Sequence, residues 1–296
     1  MLPDLAETEL VASPPHEGPG AWAGGPSALV HEGMTYLAYR LRRPVGEGRG
    51  FSNVLAMSPD GVHFERVAVV PRDRFDTDSL ERPALVRTPE GRWRLYVSLA
   101  TPGTKHWRVE LLEADRIGAL ATAPAVTVLP GSDHEAVKDP VVVHDGDRWH
   151  LWACVHPLES WDDADRMSTH YATSADGLDW TWHGAVLTGR PGAWDARGAR
   201  VTSVRIDGDQ LLATYDGRAS AEQNWEEVTG FATAHRRADG LFGPLTPHPG
   251  DPHRSPWGSG GLRYLARVPV EGGTRWYLEV ARPDDSHELR TGITTP

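Results

Sequence analysis

The chain has 296 residues, of which 39% are hydrophobic and 12 are tryptophan, and it carries a formal charge of −11 at neutral pH. That composition supplies a sizeable folded core and excludes a disordered chain. The acidic balance argues against nucleic-acid or anionic-membrane partners, and no apolar run is long enough to span a bilayer.

In chain order, the opening Met1-Leu2-Pro3-Asp4-Leu5-Ala6-Glu7 lacks the basic and apolar regions of a secretory leader, so a cytoplasmic setting is expected. The next stretch, Glu7 to Ser13 within residues 5–15, reads as a strand with no unit of its own. A repeated pattern then begins: a Pro or apolar residue, an apolar run, an acid-Gly turn and an aromatic strand. Its copies start at Gly25-Pro26, Arg82-Pro83, Asp139-Pro140, Arg200-Val201 and Gly261-Leu262, with steps of 57, 57, 61 and 61 residues. Glu32-Gly33, Glu90-Gly91, Asp145-Gly146, Asp207-Gly208 and Glu271-Gly272 sit between apolar runs, as hairpin turns do, because glycine tolerates positive φ. Second hairpins follow at Ser58-Pro59-Asp60-Gly61 and Ser174-Ala175-Asp176-Gly177, with a looser copy at Ala238-Asp239-Gly240.

Three to four short antiparallel strands per unit make a propeller blade. The spacing therefore predicts an all-β protein, a single five-bladed β-propeller domain over residues 1–296, with blade starts near 25, 82, 139, 200 and 261. Residues 5–15 are expected to complete the last blade and close the ring, which removes the exposed edges of an open array. Cys154 is the sole cysteine, so no internal disulfide forms, and its aromatic strand makes it a buried structural thiol.

Equivalent positions of the innermost strands meet around one central funnel. On this spacing they read Gly25, Arg82, Asp139, Arg200, Gly261, and one residue earlier Gly24, Glu81, Lys138, Ala199, Gly260. Charges there must pair with one another or face a water-filled pocket, since burying them alone is costly. Arginine binds carboxylates and phosphates through two parallel hydrogen bonds, so inward-facing Arg82 and Arg200 would clamp an anionic group. They would equally serve as a salt-bridged plug with Glu81 and Asp139.

The run Lys138-Asp139-Pro140-Val141-Val142-Val143-His144-Asp145-Gly146-Asp147-Arg148-Trp149-His150-Leu151-Trp152 resembles the signature of five-bladed propeller glycosidases, glycoside hydrolase families 43, 32, 62 and 130. The two Ser-x-Asp-Gly hairpins and Tyr215-Asp216-Gly217-Arg218 fit the same resemblance. It implies three carboxylates: a first-blade base, a third-blade orienting Asp and a fourth-blade acid. Two of these flank the scissile bond. Only Asp139 matches, as the orienting carboxylate; the first-blade place is Gly25 and the fourth-blade place Ala199 or Arg200.

Glu81, Asp139 and Asp195 form the candidate catalytic set, with one carboxyl raised by its neighbours, and Asp216 and Glu227 lie near the same strands. Arg82, Arg200, Lys138, His134, Trp194 and Glu227 are the candidate ligand-binding residues, and loop tryptophans 107, 161, 194, 225 and 257 could stack on sugar rings. No spacing suits a metal, and no cofactor is expected. The reading is a glycoside hydrolase-like enzyme acting on a small carbohydrate or glycoside in the funnel, carrying an anionic group if the arginines point inward. Two others fit the missing carboxylates: a non-catalytic sugar- or anion-binding propeller, and a lyase, isomerase or cyclase on the same fold.

Overall fold

The computed structural model describes residues 1–295. The protein is all-β, with 20 strands joined by short turns and four short 3₁₀ segments. After β1 (Glu9–Ala12), the strands form four sheets and fall into five consecutive antiparallel groups, the first and last being joined into one eight-stranded sheet only by the parallel pair of Trp22 with His287. The first holds β2 (Trp22–His31), β3 (Met34–Arg42), β4 (Gly50–Ser58) and β5 (Glu65–Pro71). The second holds β6 (Ala84–Arg87), β7 (Trp93–Ala100), β8 (Trp107–Ala114) and β9 (Ala125–Leu129). The third holds β10 (Glu135–His144), β11 (Trp149–Pro157), β12 (Ser168–Ser174) and β13 (Thr181–Leu187). The fourth holds β14 (Gly198–Asp207), β15 (Gln210–Arg218), β16 (Val228–His235) and β17 (Thr246–Pro247). The fifth holds β18 (Leu262–Val270), β19 (Gly273–Ala281) and β20 (His287–Thr294), and its fourth member is β1, paired antiparallel to β20.

The second hairpins show why near-identical sequence gives identical geometry. Ser58 Oγ accepts the Gly61 N–H at 2.9 Å, and Asp60 Oδ1 accepts those of Val62 and His63. Ser174 and Asp176 repeat the arrangement with Gly177, Leu178 and Asp179. Both turns put glycine at positive φ, +73° and +74°. Each turn also docks on a neighbouring group: Tyr277 donates to the Gly61 carbonyl and Tyr96 to that of Gly177.

The core lies between facing sheets. Leu55 of the first group packs with Leu95 and Leu112 of the second, and Tyr96 and Val109 of the second with Leu151 and Ala172 of the third. Trp152 and Tyr171 of the third group meet Val201 and Tyr215 of the fourth, whose Phe231 packs against the fifth-group core of Leu262 and Leu278. Leu37 of the first group packs with Tyr277 and Leu289 of the fifth. Among the described residues no helix is long and apolar enough to cross a membrane.

Strand register corrects the alignment that the repeat spacing implies. Gly24 pairs with Arg40, Lys138 with Cys154, Arg200 with Asp216 and Arg263 with Glu279, while the Glu81 N–H donates to the Ser98 carbonyl. The layer where the first strands of the groups converge is therefore Gly24, Glu81, Lys138, Arg200 and Arg263. Arg200 stands one place later than the sequence spacing suggests and Arg263 three places later. The bulge is the same in each, with two first-strand residues opposite one second-strand residue after Gly24, Lys138, Arg200 and Arg263. The offset therefore lies in the lengths of the connecting segments, which put the layer positions 57, 57, 62 and 63 residues apart.

Candidate functional site at the convergence of the first strands

On the second strands Arg40, Ser98, Cys154, Asp216 and Glu279 sit opposite this layer. Together with the first-strand layer they build a buried cluster of charges. Asp139 Oδ2 accepts the Tyr264 hydroxyl at 3.0 Å and the Arg200 Nη1 at 3.3 Å, with Lys138 Nζ 3.7 Å away, and its Oδ1 accepts the Arg82 N–H. Arg200 turns its other nitrogen to Asp216 at 2.9 Å and lies 3.8 Å from the Tyr264 ring. Arg263 joins Glu227, at 2.7 Å, to Glu279, at 2.8 Å, and Glu227 also binds Arg218. Arg40 bridges Glu81 and Glu279.

These contacts decide the ionisation of the cluster. Burial alone would raise Asp139, but Lys138, Arg200 and Arg40 hold it below the usual carboxylate range. Burial of Glu227 and Glu279 is likewise outweighed, by Arg263 with Arg218 and by Arg263 with Arg40. Asp216 goes the other way: burial outweighs Arg200 and pushes it up to about 6. His156, at the mouth end of β11, is pushed well below its ordinary value by burial and by Lys138 and Arg218, which leaves a neutral imidazole. Burial similarly raises the Cys154 thiol, whose Sγ lies 3.4 Å from His156 Nε2.

Gly24 leaves room in the layer for a side chain from another group. A Cβ there would collide with the Glu279 carboxylate, which reaches over from the fifth group and accepts the Gly25 N–H at 2.8 Å. Gly24→Ala is expected to cost about 1–3 kcal/mol through this overlap. A urea midpoint equal to that of the wild type would disprove the packing argument.

The residues singled out from sequence divide into three sets. Glu81, Lys138, Asp139, Arg200 and Glu227 meet in the buried cluster, where Arg200 binds Asp139, Asp216 and Tyr264 through its two terminal nitrogens and keeps only its Nε without a partner. Arg82 is also engaged within the protein. Its three guanidinium nitrogens donate to the carbonyls of Pro26, Pro140 and Thr202, one on each of three other groups. Asp195 and Trp194 lie apart from the cluster. Asp195 accepts from Arg190 at 2.8 Å and from the Tyr215 hydroxyl at 3.0 Å, and Trp194 stacks on the Tyr215 ring. Tyr215 adjoins Asp216 on β15 and therefore points from the opposite face. His134 is exposed on the loop leading into β10.

Sequence reasoning missed Arg40, Arg42, Glu279, Tyr264 and Trp22. The signal was present: a charge at the same place in several otherwise apolar second strands. Trp22 gathers three guanidinium groups, with Arg42, Arg263 and Arg40 at 3.8, 4.4 and 5.4 Å from its ring centroid. Of the five axial carboxylates, Glu81 keeps the most solvent access, 9% of its side chain, and Lys138 beside Trp107 keeps 13%. Among the described residues no group of three or more His, Cys, Asp or Glu side chains is placed to hold a metal ion.

No protein-family model matches the chain. Over 129 residues, 42% of the chain, it is 26% identical to a probable sucrose-6-phosphate hydrolase from Vibrio cholerae, and the match spans about a quarter of that protein's length (24%). Solved structures align over nearly the whole chain. A thermostable family-43 glycoside hydrolase is 14% identical with a TM-score of 0.70, over 97% of this chain and 92% of that one. The GH43_1 enzyme from Xanthomonas citri, complexed with xylose, gives 14% and 0.69, over 98% and 91%. A GH130 structure, from work on mannoside phosphorylases and glycoside hydrolases that target β-1,2 mannosidic linkages in Candida mannan, gives 16% and 0.63, over 100% and 96%. At these identities the likeness is one of architecture: the chain has the fold of the family 43 and family 130 glycosidases.

Proposed function

We propose that the five strand groups are the blades of one closed propeller domain, with β1 completing the fifth, and that its axial cluster binds and cleaves a small carbohydrate or glycoside. The observation that carries the reading is Glu81. It is the carboxylate of the cluster with the most solvent access, it is oriented by Arg40, and it stands one residue before Arg82 at the axis. A carboxylate so placed can exchange a proton with a glycosidic oxygen or with an attacking water. Lys138 supplies a cation at the same mouth, while Asp139 acts as a positioning residue by fixing Lys138, Arg200 and Tyr264.

Glu81→Gln is expected to cut turnover about a hundredfold or more. The check is product release from 4-nitrophenyl glycosides and disaccharides, with and without inorganic phosphate. Unchanged turnover in that variant would remove Glu81 from the mechanism. One observation favours a second, non-catalytic reading: all five axial carboxylates are ion-paired, which leaves no free pair to flank a scissile bond. Ligand binding with no product beyond one equivalent of protein would select it.

A further inference from the structure

Arg42 is a buried cation beside this cluster whose guanidinium has neither a carboxylate nor a carbonyl to bind. It stands two residues after Arg40 on β3 and so shares its face. Only 1% of it is exposed. Among the described residues its side chain makes neither a hydrogen bond nor an ion pair, and its Nε and Nη1 are enclosed without a partner. Two indoles crowd it, with Trp22 3.8 Å and Trp225 4.8 Å from ring centroid to Cζ. Aromatic contact of this kind engages the π-faces of the rings and leaves the N–H donors of the guanidinium unused.

Burying a charge with idle donors is costly unless a partner arrives to use them. The surroundings sharpen that cost. Arg40 and Arg263 share the Trp22 ring, and Arg40 Nε and Arg263 Nη2 are also buried without acceptors. Burial foremost, then the charges of Arg40, Arg263 and Arg49, push the Arg42 guanidinium down to about 8. Trp225, which covers it, is held at φ +81°, a region that non-glycine residues avoid, and remains 41% exposed.

We propose that Arg42, flanked by Trp22 and Trp225 and backed by Arg40 and Arg263, is the seat of a phosphate group, carried by the substrate or free as inorganic phosphate. A tetrahedral oxyanion suits the place better than a planar carboxylate, because its oxygens point out of one plane toward donors on three separate guanidinium groups, whereas both carboxylate oxygens lie in one plane. The inference rests on the reading that the axial mouth receives a ligand.

The test is calorimetric titration at fixed ionic strength with inorganic phosphate, glucose 6-phosphate, glucose and glucuronate, on wild type and Arg42→Met. Wild type is expected to bind at least one phosphate probe, and Arg42→Met to bind it about ten- to a hundredfold more weakly. Tighter binding of glucose 6-phosphate identifies a substrate-borne group; binding of inorganic phosphate alone identifies the free ion. Without ligand, Arg42→Met is expected to melt no lower than wild type, since methionine fills the space between the indoles without an unpaired charge. Should that variant fold poorly, Arg42→Gln serves the same comparison.

Equal phosphate affinity in wild type and variant would overturn the proposal. So would a response to glucuronate with none to phosphate. Binding of glucose without any phosphate response would sink the anion seat and leave the carbohydrate site standing, whereas silence from all four probes would sink both.

Discussion

Arg263→Met is expected to lower the unfolding free energy by about 3–5 kcal/mol, because it strips a shared partner from two buried carboxylates at once. Glu227 would keep Arg218, and Glu279 would keep Arg40, His287 and the Gly25 N–H, but neither would be balanced as before. The loss should depend on pH in a defined direction. Both carboxyls are held well below their ordinary value in the folded protein. Their contribution is therefore complete above the unfolded value of about 4.5 and fades as pH falls below it. Urea melts at pH 7 and at pH 2.5 should show a wider gap between wild type and variant at the higher pH than at the lower. A gap of equal width at both would mean that Arg263 acts through packing alone. The contrast with Arg42→Met is informative: these two arginines share one tryptophan, yet one has acceptors and the other has none.

Arg82→Met carries the second large effect. Its guanidinium donates to the Pro26, Pro140 and Thr202 carbonyls, and burial, opposed by Asp139, lowers it to about 10. Removing it leaves three buried acceptors unsatisfied, at about 1–3 kcal/mol each, so a loss of about 3 kcal/mol or more is expected. Arg82→Lys should recover little, since one ammonium cannot span carbonyls on three strand groups. Equilibrium unfolding of both variants is the measurement. If Arg82→Lys were as stable as wild type but weakened ligand binding, Arg82 would be a ligand contact after all.

The sequence made the repeat legible because hairpin chemistry is local. Ser58-Pro59-Asp60-Gly61 and Ser174-Ala175-Asp176-Gly177 contain every side-chain acceptor their turns use, and the donors are backbone N–H groups within two residues. Asp139 and Glu81 were legible for a related reason, being charges beside a proline at the head of an apolar run. Register in the fourth and fifth units was not, because the segments leading into β14 and β18 change length without any compositional mark. Arg40 and Glu279 were hidden differently. Within an alternating strand a charge reads as a solvent-facing residue, and only the meeting of strands far apart in sequence shows that it faces inward. Asp195 misled because its loop lies near the axis in sequence order, while the Tyr215 ring draws it to the opposite face of β15.

The pairing of β1 with β20 sets a schedule for synthesis. Glu9 lies opposite Thr291, and Arg290 donates to the Thr8 hydroxyl, so β1, made before every other described strand, waits for β20 before it has a partner. Until then the edge it will cover does not exist, and its own N–H and C=O groups remain open to other chains. A nascent chain stalled before β20 would thus hold four complete strand groups and one unmatched ribbon at its start. Cleavage of residues 1–13 from the finished protein would open the complementary edge on β20 instead, and the two damaged forms would each offer the strand that the other lacks.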